Sequence, residues 1–106
     1  MLAWVYLVAA GLLEIAWALG LKMSNGFTRP GITAATIVLM ILSFALLSLA
    51  MRSLPLGTSY AVWTGIGIVG TAILGIVFLN EPANALRLGC IVLILVGIAG
   101  LKLTTR

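Results

Sequence analysis

One carboxylate lies in the middle of an apolar segment, where an ionised group is costly. In "GLLEIAWALG", residues 11–20, Glu14 is the only charged side chain, and the next one along the chain is Lys22. An ionised carboxylate near the centre of a bilayer costs at least ~2.5 kcal/mol on insertion scales. Such residues usually face a bundle interior or a cavity and serve function. The structural alternative is a protonated Glu14 that makes one hydrogen bond between helices.

Aromatic and hydroxyl side chains that suit a cation accompany this carboxylate. Trp17 shares the helical face of Glu14, and Tyr60 and Trp63 lie three residues apart in "TSYAVWTGIG". A carboxylate neutralises a cation, and aromatic faces attract it. A flat cation with several N–H donors would also form a bidentate bond to the carboxylate. The candidate site residues are Glu14, Gly11, Trp17, Ser43, Tyr60 and Trp63.

Some of these residues have simpler explanations. Most serines inside a membrane helix bond back to their own helix, which is the alternative for Ser43. Tyr60 could belong to the aromatic belt at the membrane surface, and the same alternative is weaker for Trp63, one turn deeper. Gly65 and Gly67 lie close together in the third apolar run, where we expect a kink.

The composition indicates an integral membrane protein. Apolar residues make up 63% of the chain and charged residues 8%, whereas a soluble domain carries about 25% charged residues. The six basic residues stand singly at the ends of apolar runs, as interfacial anchors do, and do not indicate a nucleic-acid partner. With no histidine and one cysteine, Cys90, the sequence offers no metal cluster, nucleotide loop or hydrolytic triad. We therefore expect neither an enzyme nor a cofactor.

Four apolar runs predict an all-α fold with four transmembrane helices in a single domain, residues 1–106. The predicted helices are 2–21, 31–51, 56–79 and 85–103, each near the ~20 residues that span a bilayer. The loops "KMSNGFTRP", "RSLPLG" and "NEPAN" contain helix breakers. Glu81, in the third loop, is expected to be solvated. The first run is not expected to be a cleaved signal peptide, because no basic residue precedes it and Glu14 interrupts it.

The basic residues give almost no preference for one orientation in the membrane. The first and third loops carry Lys22, Arg29 and Arg87, and the opposite side carries Arg52, Lys102 and Arg106. The chain could insert both ways, or the first helix could set one orientation; the count favours neither. Many transporters consist of two inverted halves around a midplane site, and two antiparallel copies would recreate that arrangement.

Over essentially its full length the sequence resembles the small multidrug resistance transporters. The matching stretches are "LLEIAWALGLK", "SNGFTRP", "LPLGTSYAVWTGIG", "NEP" and "LVGIAGLK". Within that family it is similar to the guanidinium exporter branch, because Trp17 follows Glu14 by three residues, where exporters of quaternary ammonium compounds typically have a small residue. The resemblance implies an antiparallel, dual-topology homodimer of eight helices in the bacterial inner membrane, exchanging guanidinium for protons.

The resemblance also implies roles for individual residues. Glu14 of both subunits would bind either protons or guanidinium, with Gly11 and Trp17 lining the site. Trp63 and Ser43 would hydrogen-bond to the carboxylate and orient it. The implied role of Tyr60 is to line the pocket and couple the two subunits. The remaining implied positions are the kink at Gly65 and Gly67 and a dimer contact at Gly97.

Two positions depart from the family pattern, and three alternatives stay open. Pro30 directly follows Arg29, although that proline usually comes two residues later, and Met23 stands where an aromatic residue is common. Both leave the start of the second helix uncertain. The alternatives are a polyspecific exporter of quaternary ammonium cations, a non-transporting membrane subunit, and a pair formed with a different chain of opposite topology.

Overall fold

The computed structural model describes residues 2–104, which form four α-helices joined by short loops. They are α1 (Leu2–Met23), α2 (Pro30–Ala50), α3 (Leu56–Phe78) and α4 (Ala85–Thr104). Each is long and apolar enough to cross a membrane, because the hydrocarbon core needs ~20 apolar residues. This confirms the predicted all-α membrane fold with four helices. Arg106, which entered the charge count, lies outside the described residues.

The helix ends follow from the turn-forming residues between the apolar runs. Pro30 is the first residue of α2. A backbone N–H at this position has no partner within the helix, so the N–H that proline lacks is not needed there. Met23 belongs to the last turn of α1 instead of the loop. Asn25, Gly26 and Phe27 then have φ angles of 52°, 72° and 66°, and this left-handed backbone reverses the chain.

In space the helices follow the order α2, α1, α3, α4. Backbone contacts join α1 extensively to α2 and α3, whereas α4 lies close to α3 alone in the described part of the chain. The Cα atoms span 42 × 35 × 16 Å. The single chain is therefore a thin slab of helices with α1 inside it and with two broad faces uncovered.

The buried core lies at the end of the slab that carries the N-terminus. Leu7 and Ala10 of α1 are fully buried there against residues of α2 and α3, such as Leu47 and Val62. Helix α4 closes this end from one side, with Lys102 Nζ 5.4 Å from the centre of the Trp4 ring. A cation over an indole ring at this distance is attracted to it. The first and last helices are thus tied together near the chain ends.

Glycines let the helices approach closely. A Cβ atom on Gly11 would meet Ile66 of α3, and one on Gly70 would meet Ile15 of α1. Glycines at such contacts are typical of membrane bundles. Helix α3 runs as one helix through Gly65, so the kink there stays a prediction. The space around Gly97 is open to 4 Å, and its dimer contact likewise stays a prediction.

Gly20→Ala is expected to destabilise the chain by about 1–3 kcal/mol, the usual cost of overpacking. The new methyl group would overlap with Thr36 of α2. The Thr36 hydroxyl donates to the Ile32 carbonyl, and rotation about χ1 is restricted in a β-branched side chain, so Thr36 moves aside only at a cost. The matched control is Gly31→Ala, at a helix position with open space around it. Thermal unfolding in detergent measures both, and equal midpoints for the two variants would contradict the prediction.

Candidate functional site

Glu14 of α1 points at α3, where Gly67 makes room for it. A Cβ atom on Gly67 would overlap with the Glu14 carboxylate, so this acid needs glycine opposite it. Its Oε1 atom is buried and has no hydrogen-bond partner within residues 2–104. A buried acceptor without a donor is unfavourable unless a ligand, a proton or water satisfies it. The carboxylate therefore keeps its capacity to accept a proton or a hydrogen-bond donor.

A chain of hydrogen bonds holds α1, α2 and α3 together beside Glu14. The Trp63 indole Nε1–H donates to Ser43 Oγ at 3.0 Å, and the Ser43 hydroxyl donates to the Ala10 carbonyl at 2.7 Å. Ala10 lies one turn before Glu14. Ser43 is fully buried and Trp63 is 6% exposed, so water competes little for these bonds.

The expectation that Trp63 and Ser43 hydrogen-bond to the Glu14 carboxylate is wrong for this structure. An indole and a hydroxyl each have one N–H or O–H to donate. Both donors are used within the chain that ends on Ala10. They hold the backbone of the turn that precedes Glu14 instead of the carboxylate itself.

Four aromatic rings form a continuous row beside the acid. Trp17 packs edge-on against Phe44 with centroids 6.1 Å apart, Phe44 lies 5.7 Å from Trp63, and Trp63 lies 5.4 Å from Tyr60. These separations are typical of favourable aromatic pairs. The buried Trp17 Nε1 atom has no acceptor in the described part of the chain. The row thus joins all three inner helices and offers π faces to a cation.

Two of the four rings, one on each side of Trp63, are exposed at the surface of the slab. Phe44 is 45% exposed and Tyr60 is 54% exposed, although Trp63 between them is buried. A cation site in a membrane is normally enclosed. The described residues of one chain therefore leave part of the row uncovered.

The structure connects the predicted site residues through a small set of contacts and adds one residue to them. Ser43 and Tyr60 each contact Trp63, and Trp17 is joined to Trp63 through Phe44. Glu14 lies opposite Gly67, one turn after Trp63 along α3. Gly11 contacts Ile66 and serves helix packing. Phe44 was missed in the sequence, although it follows Ser43 directly and is the one aromatic residue of the second apolar run.

The chemistry of the site favours a cation as ligand. Within residues 2–104 no three His, Cys, Asp or Glu side chains stand close enough to hold a metal ion. The free groups are a carboxylate acceptor and aromatic faces, both of which attract positive charge.

Comparison with known proteins identifies the family. The family model described as "Small Multidrug Resistance protein" matches residues 2–95. The chain belongs to the small multidrug resistance family. It is similar to a protein of Escherichia coli strain K12 named "Guanidinium exporter", with 58% identity over 105 residues that cover 99% of this chain and 100% of the relative. Proteins of the same name from Citrobacter freundii and Salmonella typhimurium are 57% identical over equal coverage.

Family membership and the four membrane-spanning helices together make this chain a multi-pass membrane protein. The small multidrug resistance relatives are named as exporters, so the family supports transport. The Glu14 carboxylate is the acidic group inside the described helices, since Glu81 lies in the loop after α3.

Ser43→Ala is expected to destabilise this small multidrug resistance protein by about 1–3 kcal/mol, because it leaves the buried Trp63 N–H without an acceptor. Ser48→Ala, on the exposed side of the same helix, should change stability by less than about 0.5 kcal/mol. Thermal unfolding in detergent gives both values. In a Trp63→Phe background the cost of Ser43→Ala should shrink, since the donor is gone; an unchanged cost would refute the coupling.

Proposed function

We propose that this chain is a proton-coupled antiporter that exports guanidinium across the bacterial inner membrane. The observation that carries the proposal is the buried Glu14 Oε1 atom, which lacks a partner in the described residues and lies beside a row of aromatic rings. The names of the relatives support guanidinium as the substrate. Family membership supports export.

Guanidinium fits the groups that the site leaves free. Its planar N–H donors match the two oxygens of a carboxylate, and such bidentate pairs are among the strong hydrogen bonds of proteins. Its flat face stacks on aromatic rings as an arginine side chain does. Trp17, one turn from Glu14, and Trp63, one turn before Gly67, are placed to provide those rings. The positive charge of the ligand neutralises the buried carboxylate.

Competition for the same oxygens provides the coupling. A proton and guanidinium each neutralise Glu14, and neither binds while the other is present. An empty, ionised site passes poorly through a closed state, because that state removes water from an uncompensated charge. A site that holds a proton or guanidinium passes through the closed state more easily. Protons that enter down their gradient therefore drive guanidinium outward, and exchange prevails over leak.

Two copies in opposite orientations would complete the site. The slab leaves Phe44 and Tyr60 on an open face, and a second wall is needed to enclose them. The balanced basic residues permit both orientations. In the antiparallel pair, eight helices surround two Glu14 carboxylates near the midplane, as in inverted-repeat transporters. Gly97, with open space around it, is the proposed contact on α4, and Tyr60 is placed to couple the two copies.

Trp17 sets the size of the cation in this proposal. Its ring packs against Phe44 and occupies space next to Glu14 that a bulky quaternary ammonium ion would need. Such an ion also lacks N–H donors for the carboxylate. The rival proposal, a polyspecific exporter of quaternary ammonium cations, predicts that a tetraalkylammonium ion drives proton uptake as well as guanidinium does.

Glu14→Gln is expected to abolish guanidinium-dependent proton uptake in proteoliposomes loaded with guanidinium, because the amide keeps the shape but binds neither cation tightly. Glu81→Gln removes the other carboxylate of the chain, outside the site, and should retain coupled exchange. Proton flux and current are recorded under an imposed pH gradient. A Glu14→Gln protein as active as the parent would overturn the mechanism, and tetraalkylammonium uptake equal to guanidinium uptake would favour the rival.

Gly67→Ala is expected to weaken guanidinium binding at least about tenfold, or ~1.4 kcal/mol, because the new methyl group displaces the Glu14 carboxylate. Gly57→Ala, also on α3 but with open space around it, should bind like the parent. Calorimetric titration of the detergent-solubilised protein gives both dissociation constants. An unchanged constant for Gly67→Ala would show that the carboxylate position is unimportant.

A further inference from the structure

A cavity of about 210 Å³ opens between α1 and α3 at the end of the slab that carries the first and third loops. A bound water needs roughly 10–15 Å³ of such space, so the cavity has room for several. Its lining includes Ala18 and Lys22 of α1, Thr71 and Gly75 of α3, and Glu81 of the third loop.

The inner end of the cavity lies one helical turn from the carboxylate. Ala18 follows Glu14 by one turn on α1, and Thr71 follows Gly67 by one turn on α3, where one turn rises ~5.4 Å. The Thr71 hydroxyl donates to the Gly67 carbonyl at 2.7 Å, which leaves its oxygen free to accept from water. About one helical turn therefore separates the lining of this cavity from the residue that carries the unpartnered Oε1 atom.

The charges at the mouth of the cavity sum to a positive value. Glu81 is 41% exposed, but it is paired and not simply solvated, since Arg87 Nη2 lies 2.7 Å from its Oε1 atom. The second guanidinium nitrogen, Nη1, donates to the Pro82 carbonyl. Lys22 lines the same mouth and makes no ion pair within the described residues. Its charge stays uncompensated and repels cations over a screening length of ~8 Å.

One end of the aromatic row, formed by Tyr60 and Trp63, lies on the other side of the acid. Tyr60 and Trp63 precede Gly67 along α3, whereas Thr71 and Gly75 follow it towards the third loop. The cavity and these two rings thus approach Glu14 from opposite directions along α3, whereas Trp17 lies on α1 next to the Ala18 lining of the cavity. The aromatic side attracts organic cations, and the cavity side carries the unpaired lysine.

We propose that the cavity between α1 and α3 is a water-filled vestibule that delivers protons to Glu14 and excludes guanidinium. This inference rests on the proposed function. The proton and guanidinium compete for the same oxygens but reach them by separate routes. An excess proton carries the same charge as guanidinium, but it moves along hydrogen-bonded water without a bulky ion having to pass Lys22, so the mouth selects by size in addition to charge.

Labelling of engineered cysteines tests whether the vestibule is wet and repels cations. The exposed native thiol is first removed by Cys90→Ala, and this variant is the background for the others. Ala18→Cys then places a thiol in the vestibule, and Ala16→Cys, two residues away on an exposed side of α1, is the matched control inside the detergent belt. Thr71→Cys probes the same cavity from α3 in case Ala18→Cys does not fold.

For each methanethiosulfonate reagent, the rate at the protein thiol is divided by its rate with free mercaptoethanol. At low salt we expect this relative rate to be at least about tenfold higher for an anionic reagent than for a cationic one at the vestibule thiols. Lys22→Gln should reduce this preference, and the Ala16→Cys thiol should be nearly unreactive. Equal reactivity at residues 16 and 18, or a cationic reagent as fast as the anionic one, would overturn the vestibule. This outcome does not depend on whether guanidinium is transported.

Filling the vestibule separates the two routes. Ala18→Leu should slow guanidinium-driven proton exchange at least about tenfold, because it removes the water next to Glu14, while the guanidinium dissociation constant stays within a factor of about two. Stopped-flow recording with a pH dye and calorimetric titration provide the two values. A variant with unchanged exchange, or one with proportionally weakened binding, would refute separate routes. Absence of guanidinium exchange in the parent would refute the proposed function instead.

Discussion

The accommodation of one carboxylate inside an apolar bundle governs the arrangement of the other helices. Glu14 must lie where its charge can be compensated, since a bare carboxylate in a bilayer is unfavourable. Gly67 gives it space, and this requires α3 to pass close to α1. The reciprocal pairs of Gly11 with Ile66 and of Gly70 with Ile15 fix that approach above and below the acid. Helix α1 consequently runs between α2 and α3, with the acid in the interior of the slab.

The polar and aromatic groups around the acid divide into two sets with different tasks. The buried Trp63–Ser43–Ala10 chain uses its hydrogen bonds internally and fixes three backbones relative to one another. The carboxylate and the ring faces keep their capacity for a ligand. Because Trp63 belongs to both sets, its indole is anchored by its N–H while its ring remains part of the aromatic row. Such anchoring reduces the side-chain entropy that binding a cation would otherwise cost.

The sequence predicted the fold well because runs of ~20 apolar residues between turn formers leave few alternatives. It also singled out Glu14, because a charged residue inside an apolar run is recognisable without knowing how the helices pack. The direction of the Trp63 hydrogen bond was not predictable, because the choice between Ser43 and Glu14 as acceptor depends on how α2 and α3 sit against α1. Phe44 was missed because a phenylalanine in an apolar run resembles any lipid-facing residue. Gly67 was assigned to a kink, whereas its contact with Glu14 becomes visible only when two helices are placed together.

The contact between Lys102 and Trp4 bears on the order in which the chain can assemble during synthesis. Helices α1, α2 and α3 share the core, whereas α4 adds to it from the side of α3. The three inner helices can therefore pack in the translocation site before the last residues leave the ribosome. The lysine near the C-terminus and the tryptophan near the N-terminus then join two segments separated by nearly the whole chain.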